Sequence, residues 1–146
     1  FPCPSAAYCH IRVSAVGGRS AIAQGLVAAC HDLSDGGILV GAAEMAMAGA
    51  IGVALDAPPA GIPVTAWAYG EDQGRYLLAV SAEALDALIT MANAAGVPLA
   101  RIGTSGGGLL TLGGHDTISL EELREAHRSW LPGYMAKAEA GAEAAE

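Results

Sequence analysis

Cys30-His31-Asp32-Leu33-Ser34-Asp35-Gly36-Gly37 is the stretch around which the rest of this chain is read. An apolar run, Leu26-Val27-Ala28-Ala29, leads into it, and an Ala/Met/Gly-rich segment over residues 38–50 leaves it. The pattern predicts a short buried strand over 27–30, a polar turn, and a helix that starts at Gly36 or Gly37 and runs to residue 48. The front of a helix carries unpaired N–H groups and a partial positive charge, and glycine lets a ligand approach the backbone. Such a turn can hold a phosphate or carboxylate, with Asp32 and Asp35 available to Mg²⁺. The same spacing also suits a plain helix cap from Ser34 or Asp35, with His31 a satisfied core histidine. Spacing alone leaves both readings open.

Composition narrows the class. The chain has 146 residues, 53% hydrophobic and 15% charged, enough for one domain with a real core and too apolar for disorder. Seven Lys+Arg against fifteen Asp+Glu give a formal charge of −8, which argues against a nucleic-acid surface and an anionic membrane surface. A local nucleotide site is compatible with that balance. Cys3, Cys9 and Cys30 form no CxxC pair, so no disulfide framework is evident and a reducing, cytoplasmic setting is the simpler one. Cys3, Cys9 and His10 fit no common zinc spacing. Residues 36–54 approach membrane-spanning length, but their glycines and the central Glu44 split them into a helix and a strand over 51–56.

Outward from the turn, residues 1–17 carry two Cys, two Pro and little periodicity, and are expected to lie outside the domain core as an atypical, possibly non-native segment. Residues 19–26 show a short helical pattern. Residues 57–63, with Pro58, Pro59 and Pro63, form a loop, and 64–69 read as either strand or short helix. Gly70-Glu71-Asp72-Gln73-Gly74-Arg75 is a second polar cluster that runs into a strand over 76–80; it can be a simple turn, a ligand site, or a clamp on a neighbouring loop. Ser81 caps a helix over 82–95 that Gly96 stops. A strand over 97–102, a glycine-rich turn over 103–108 that can approach a phosphate but is more commonly a hairpin linker, and a strand over 109–112 follow. Ser119-Leu120-Glu121-Glu122 has capping-box form and opens a helix that Leu131-Pro132 interrupts, leaving an Ala/Glu-rich tail over 136–146 that frays. This order predicts an α/β fold, a three-layer α/β/α domain over 18–135 with a mixed sheet and two sets of helices. No GxGxxG, P-loop or GxSxG motif is present.

The segment from Ala29 to Gly37, with Ala43-Glu44-Met45-Ala46, Gly70 to Tyr76, Ile102-Gly103 and Leu120 to Met135, resembles in that order the C-terminal end of the phosphoribosylformylglycinamidine synthases, large subunits of the AIR synthase-related superfamily. The turn alone is also similar to thiamine-monophosphate kinases, hydrogenase maturation proteins and selenophosphate synthetases. The resemblance implies an ATP- and Mg²⁺-dependent ligase of purine biosynthesis. That enzyme converts formylglycinamide ribonucleotide and glutamine-derived ammonia to the amidine, activating the amide oxygen by phosphorylation. It further implies an AIR synthase C-terminal-like fold with partial ferredoxin-like topology. The implied partners are the remaining domains of the subunit, a glutaminase subunit and a small accessory subunit.

For sites, the resemblance implies that His31, Asp32, Ser34, Asp35, Gly36 and Gly37 form a turn facing an inter-domain cleft, as substrate or nucleotide-phosphate contacts or as structural support for a pseudo-site. Asp32 and Asp35 are candidate metal ligands. Glu71, Asp72, Gln73 and Arg75 match the second motif, without an assigned role. No catalytic residue is expected in this chain, which alone is expected to be inactive, with no cofactor of its own assured. Two alternatives remain: a non-catalytic packing domain, and a domain of another ATP-dependent kinase or synthetase of the superfamily.

Overall fold

The computed structural model describes the backbone of residues 6–12, 15–72 and 74–143. In chain order the elements are β1 (Ala6–Arg12), α1 (Ala15–Ala23), β2 (Ala29–Asp32), α2 (Gly37–Gly49), β3 (Val53–Leu55), α3 (Val64–Tyr69), β4 (Arg75–Ser81), α4 (Ala82–Ala94), β5 (Leu99–Ser105), β6 (Leu109–Leu112), β7 (Asp116–Ser119) and α5 (Leu120–Glu143). The strands form one seven-stranded sheet in the order β2-β4-β1-β5-β3-β6-β7. Every neighbouring pair is antiparallel except β3 with β6, so the sheet is mixed.

Strand β4 shows how the layers form. Successive side chains of a strand point to opposite faces. Leu77 and Ala79 enter one apolar cluster with Ile38, Ala42, Met45 and Ala46 of α2 and with Trp67 and Ala68 of α3. Leu78 and Val80 enter the other, with Ala21 of α1 and Leu88 of α4. Helices therefore cover both faces. Leu77, Leu78 and Val80 are almost fully buried, and burial of each such side chain stabilises the fold by about 1.5–3 kcal/mol.

The chain β1-α1-β2, then β4-α4-β5, gives four antiparallel neighbours in the order β2-β4-β1-β5, with α1 and α4 on the same face. That is the split β-α-β arrangement of a ferredoxin-like half, into which α2, β3 and α3 are inserted. Residues 1–17 were expected outside the core. Instead β1 lies inside the sheet, paired with β4 over Ala6–Arg12 and with β5 on its other side.

Other expectations shift. β2 begins two residues later than expected and is an edge strand, so it is mostly exposed and not buried. It ends on His31 and Asp32, opposite Leu77 and Tyr76. Residues 64–69 are helical. The glycine-rich turn after β5 is not a hairpin linker, because β3 lies between β5 and β6. It wraps the start of β3: the Gly106 N–H donates to the Gly52 carbonyl and the Gly52 N–H to the Gly107 carbonyl, both at 2.8 Å. Strand β7 adds an edge that alternation did not indicate. α5 continues through Pro132 to Glu143, carried by an Ala-, Glu- and Lys-containing run of high helix propensity, so the residues read as a fraying tail are helical as far as 143. None of the helices among the described residues is long and apolar enough to cross a membrane.

Candidate functional site

The turn after β2 and the turn before β4 are adjacent because the two strands pair. The Leu33 N–H donates to the Arg75 carbonyl at 2.9 Å and extends that pairing one residue beyond β2. α2 then begins with Gly36 as its N-cap in the left-handed region, φ 78°, without a side-chain cap. Neither Ser34 nor Asp35 caps the helix through its side chain, which removes the plain-cap reading for both. Instead the Gly36 N–H donates to Oε1 of Glu71 at 2.8 Å, across 35 residues of sequence. The Gly37 N–H donates to the Ser34 carbonyl at 3.3 Å.

Gly37 has a structural reason to be glycine. Its φ is 66°, and a Cβ there would stand 2.8 Å from the Gly70 carbonyl oxygen and from the Tyr69 carbonyl carbon. The close approach that sequence reasoning reserved for a ligand is thus taken at this position by the backbone end of α3. Arg75, buried at the start of β4, donates from Nη1 to the Gly70 carbonyl at 3.0 Å and lies 3.5 Å from an Asp72 carboxylate oxygen. The second motif therefore closes on itself through Arg75 and reaches the first through Glu71. Gln73 lies outside the described residues.

Around this clamp the remaining polar groups face outward. Asp32, Ser34, Asp35, Glu71 and Asp72 are exposed, and His31 is half-buried. His31 Nε2 lies 3.0 Å from Oε2 of Glu44 on α2, and Nδ1 lies 2.6 Å from the Asp32 carbonyl oxygen. Both partners are acceptors, so the ring donates to both only as the imidazolium. The Cys30 thiol is pushed up from its ordinary value, first by partial burial and then by the Asp32 carboxylate. That shift favours the protonated thiol over the thiolate.

Among the described residues no group of three or more His, Cys, Asp or Glu is placed to hold a metal ion. Asp32 and Asp35 are two exposed carboxylates near the turn, and Mg²⁺ is the cation whose chemistry such a pair can be asked about. That cation is commonly held by one or two carboxylates plus water and substrate phosphates.

One cluster escaped sequence reasoning. Arg124, His127 and Arg128 of α5 line a cleft of about 410 Å³ together with His31, Glu44 and Met47. Their i, i+3, i+4 spacing is visible in the sequence, but nothing there told that α5 would lie against α2.

Apolar clusters on both faces of a mixed sheet, with a helix-entry turn clamped by a second Gly-acid-Arg turn, define a three-layer α/β domain. The chain belongs to the AIR synthase related protein family, C-terminal domain, which matches it over residues 12–111. Among curated relatives it is 51% identical over 125 residues to the phosphoribosylformylglycinamidine synthase subunit PurL of Parvibaculum lavamentivorans, covering 86% of this chain and 16% of that protein. It is 49% identical over 118 residues to the subunit of the same name from Rhodopseudomonas palustris, covering 81% of this chain and again 16% of the relative. The chain thus spans about a sixth of the length of these relatives. Among solved structures, T. maritima PurL complexed with ATP superposes with a TM-score of 0.72 over 84% of this chain and 26% of that one, at 14% identity, a likeness of fold.

Proposed function

We propose that this chain serves as the terminal α/β/α domain of an ATP-dependent phosphoribosylformylglycinamidine synthase, inactive alone and completed by the remaining domains of the subunit, a glutaminase subunit and a small accessory subunit in the cytoplasm. The observation that carries the reading is the clamp. Glu71 holds the Gly36 N–H and Gly37 seats against Gly70, which fixes the turn while Asp32, Ser34 and Asp35 remain exposed on one loop. A rigid turn with exposed acid and hydroxyl groups suits a surface that meets a nucleotide held by another domain. Asp32 and Asp35 would hold Mg²⁺ there; the ion, when bound, neutralises phosphate charge. Ser34 donates or accepts a hydrogen bond at the same surface, and His31, tied to Glu44, orients the strand end that carries Asp32. In this reading Glu71 is the internal anion at the start of α2, so a ligand phosphate meets side chains more than the helix terminus itself.

The test is a chimera. The matching domain of the Parvibaculum PurL is replaced by this chain, and amidine formation is followed. An active chimera that loses at least about tenfold in turnover on Asp35→Ala, with an unchanged melting temperature, is expected, that factor corresponding to about 1.4 kcal/mol. An inactive but folded chimera, or an Asp35→Ala chimera of full activity, contradicts the proposal.

A purely structural packing role is favoured by a different observation. Trp130, Leu131, Tyr134 and Met135 are exposed on the later part of α5, with the Trp130 and Tyr134 rings stacked at 5.6 Å. An apolar surface of this kind suits a neighbouring domain. Under this role the chimera stays active with Asp35→Ala and loses assembly with Trp130→Ser.

A further inference from the structure

The cleft between α2 and α5 is set apart by its charge. In a chain of formal charge −8 with seven Lys and Arg, two of the seven, Arg124 and Arg128, share it with two of the four histidines, His31 and His127. Arg124, His127 and Arg128 stand at i, i+3 and i+4 of α5, so they rise from one face of the helix. Glu44 is paired with Nε2 of His31 at 3.0 Å. The carbonyl end of α2 receives Nη2 of Arg124 at the Met47 oxygen, 2.7 Å away, where a cation also offsets the helix dipole. Arg128 has no ion-pair or hydrogen-bond partner among the described residues, and His127 stands beside it, exposed. Met47 gives the cleft an apolar wall.

We infer that this cleft is an anion site for a phosphorylated small molecule, with the Arg128 guanidinium as its main contact and His127 and Arg124 beside it. A guanidinium offers paired N–H donors that match two phosphate oxygens, and a charge-assisted bond of this type is among the stronger contacts an exposed site can make. The volume of about 410 Å³ is sufficient for a phosphate with a sugar-sized group attached. This site shares His31 with the strand end before the 32–35 turn but none of that turn's exposed acids, and it does not depend on the synthase reading.

The probe is inorganic pyrophosphate without metal, titrated into the full chain and followed by calorimetry and by the NMR signals of His127. Saturable binding is expected, weakened about tenfold or more by Arg128→Gln and also reduced by His127→Asn, both variants keeping the wild-type circular dichroism spectrum. Asp35→Ala, which tests the other reading, leaves this affinity unchanged. Absence of saturable binding overturns the inference, as does binding that Arg128→Gln and His127→Asn leave intact or that Asp35→Ala abolishes.

Discussion

Two helix starts in this molecule solve one problem by different means. At the start of α5, Ser119 and Glu122 satisfy each other within four residues. The Glu122 N–H donates to Ser119 Oγ at 3.1 Å, and the Ser119 N–H donates to Glu122 Oε2 at 2.9 Å. At the start of α2 there is no side-chain cap; Gly36 turns left-handed and hands its N–H to Glu71, which arrives from the loop before β4. The first start is a local device. The second holds only when β2 and β4 are paired, so it couples the turn to the sheet. The difference teaches where to look for function: a helix start whose partner comes from far away fixes two loops relative to one another, and here it leaves Asp32, Ser34 and Asp35 presented outward.

The comparison breaks most severely at Gly37. Gly37→Ala forces a Cβ onto the backbone of residues 69–70 at a φ of 66°, and a loss of about 3 kcal/mol or more is expected in urea unfolding. The same change at Gly96, also at positive φ (64°) but with open space around it, costs about 1–2 kcal/mol, so the pair separates close approach from conformational strain. Glu71→Ala leaves the Gly36 N–H without its carboxylate; because Glu71 is exposed and water can substitute, about 1 kcal/mol is expected, with Glu71→Gln recovering part of it. Ser119→Ala, at the local start, costs about 1 kcal/mol, as loss of a cap does, and leaves the 31–37 turn undisturbed in NMR spectra.

The smallest effect is on pH. Ser119 holds the Glu122 carboxyl below the ordinary glutamate range, through its hydroxyl first and its N–H second. Its contribution is therefore fully present above the unfolded value and is lost as pH falls through the lower folded value. Acid unfolding of Ser119→Ala should show a shallower slope, because the hydroxyl is lost and the backbone N–H stays, while Glu71→Ala should keep the full slope.

The same contrast explains what could be read in advance. Ser81 and Ser119 were legible as caps because each finds its partner three residues on; the Ala84 N–H reaches Ser81 Oγ at 3.3 Å. The strand-turn-helix element and the α/β layering were legible from apolar runs that end on glycines. The Glu71 clamp was legible only as one of three alternatives, since its partner lies 35 residues away and is chosen by strand pairing. β1 was missed for a related reason. Ala6–Arg12 shows no clean alternation, and its place is fixed by backbone bonds to β4 and β5 on both sides. The ferredoxin-like order implied by resemblance requires such a strand, and that requirement was the better guide than composition. Pro132 removes one backbone donor, and the helix propensity of the residues that follow it outweighs that loss.

Amide hydrogen exchange at Gly36 tests the clamp most directly. A protected Gly36 amide in the wild-type chain, whose exchange accelerates in Glu71→Ala while the amides in the middle of α2 keep their protection, is the expected result. Exchange at the rate of an open loop in the wild-type chain, or protection that Glu71→Ala leaves unchanged, would contradict it.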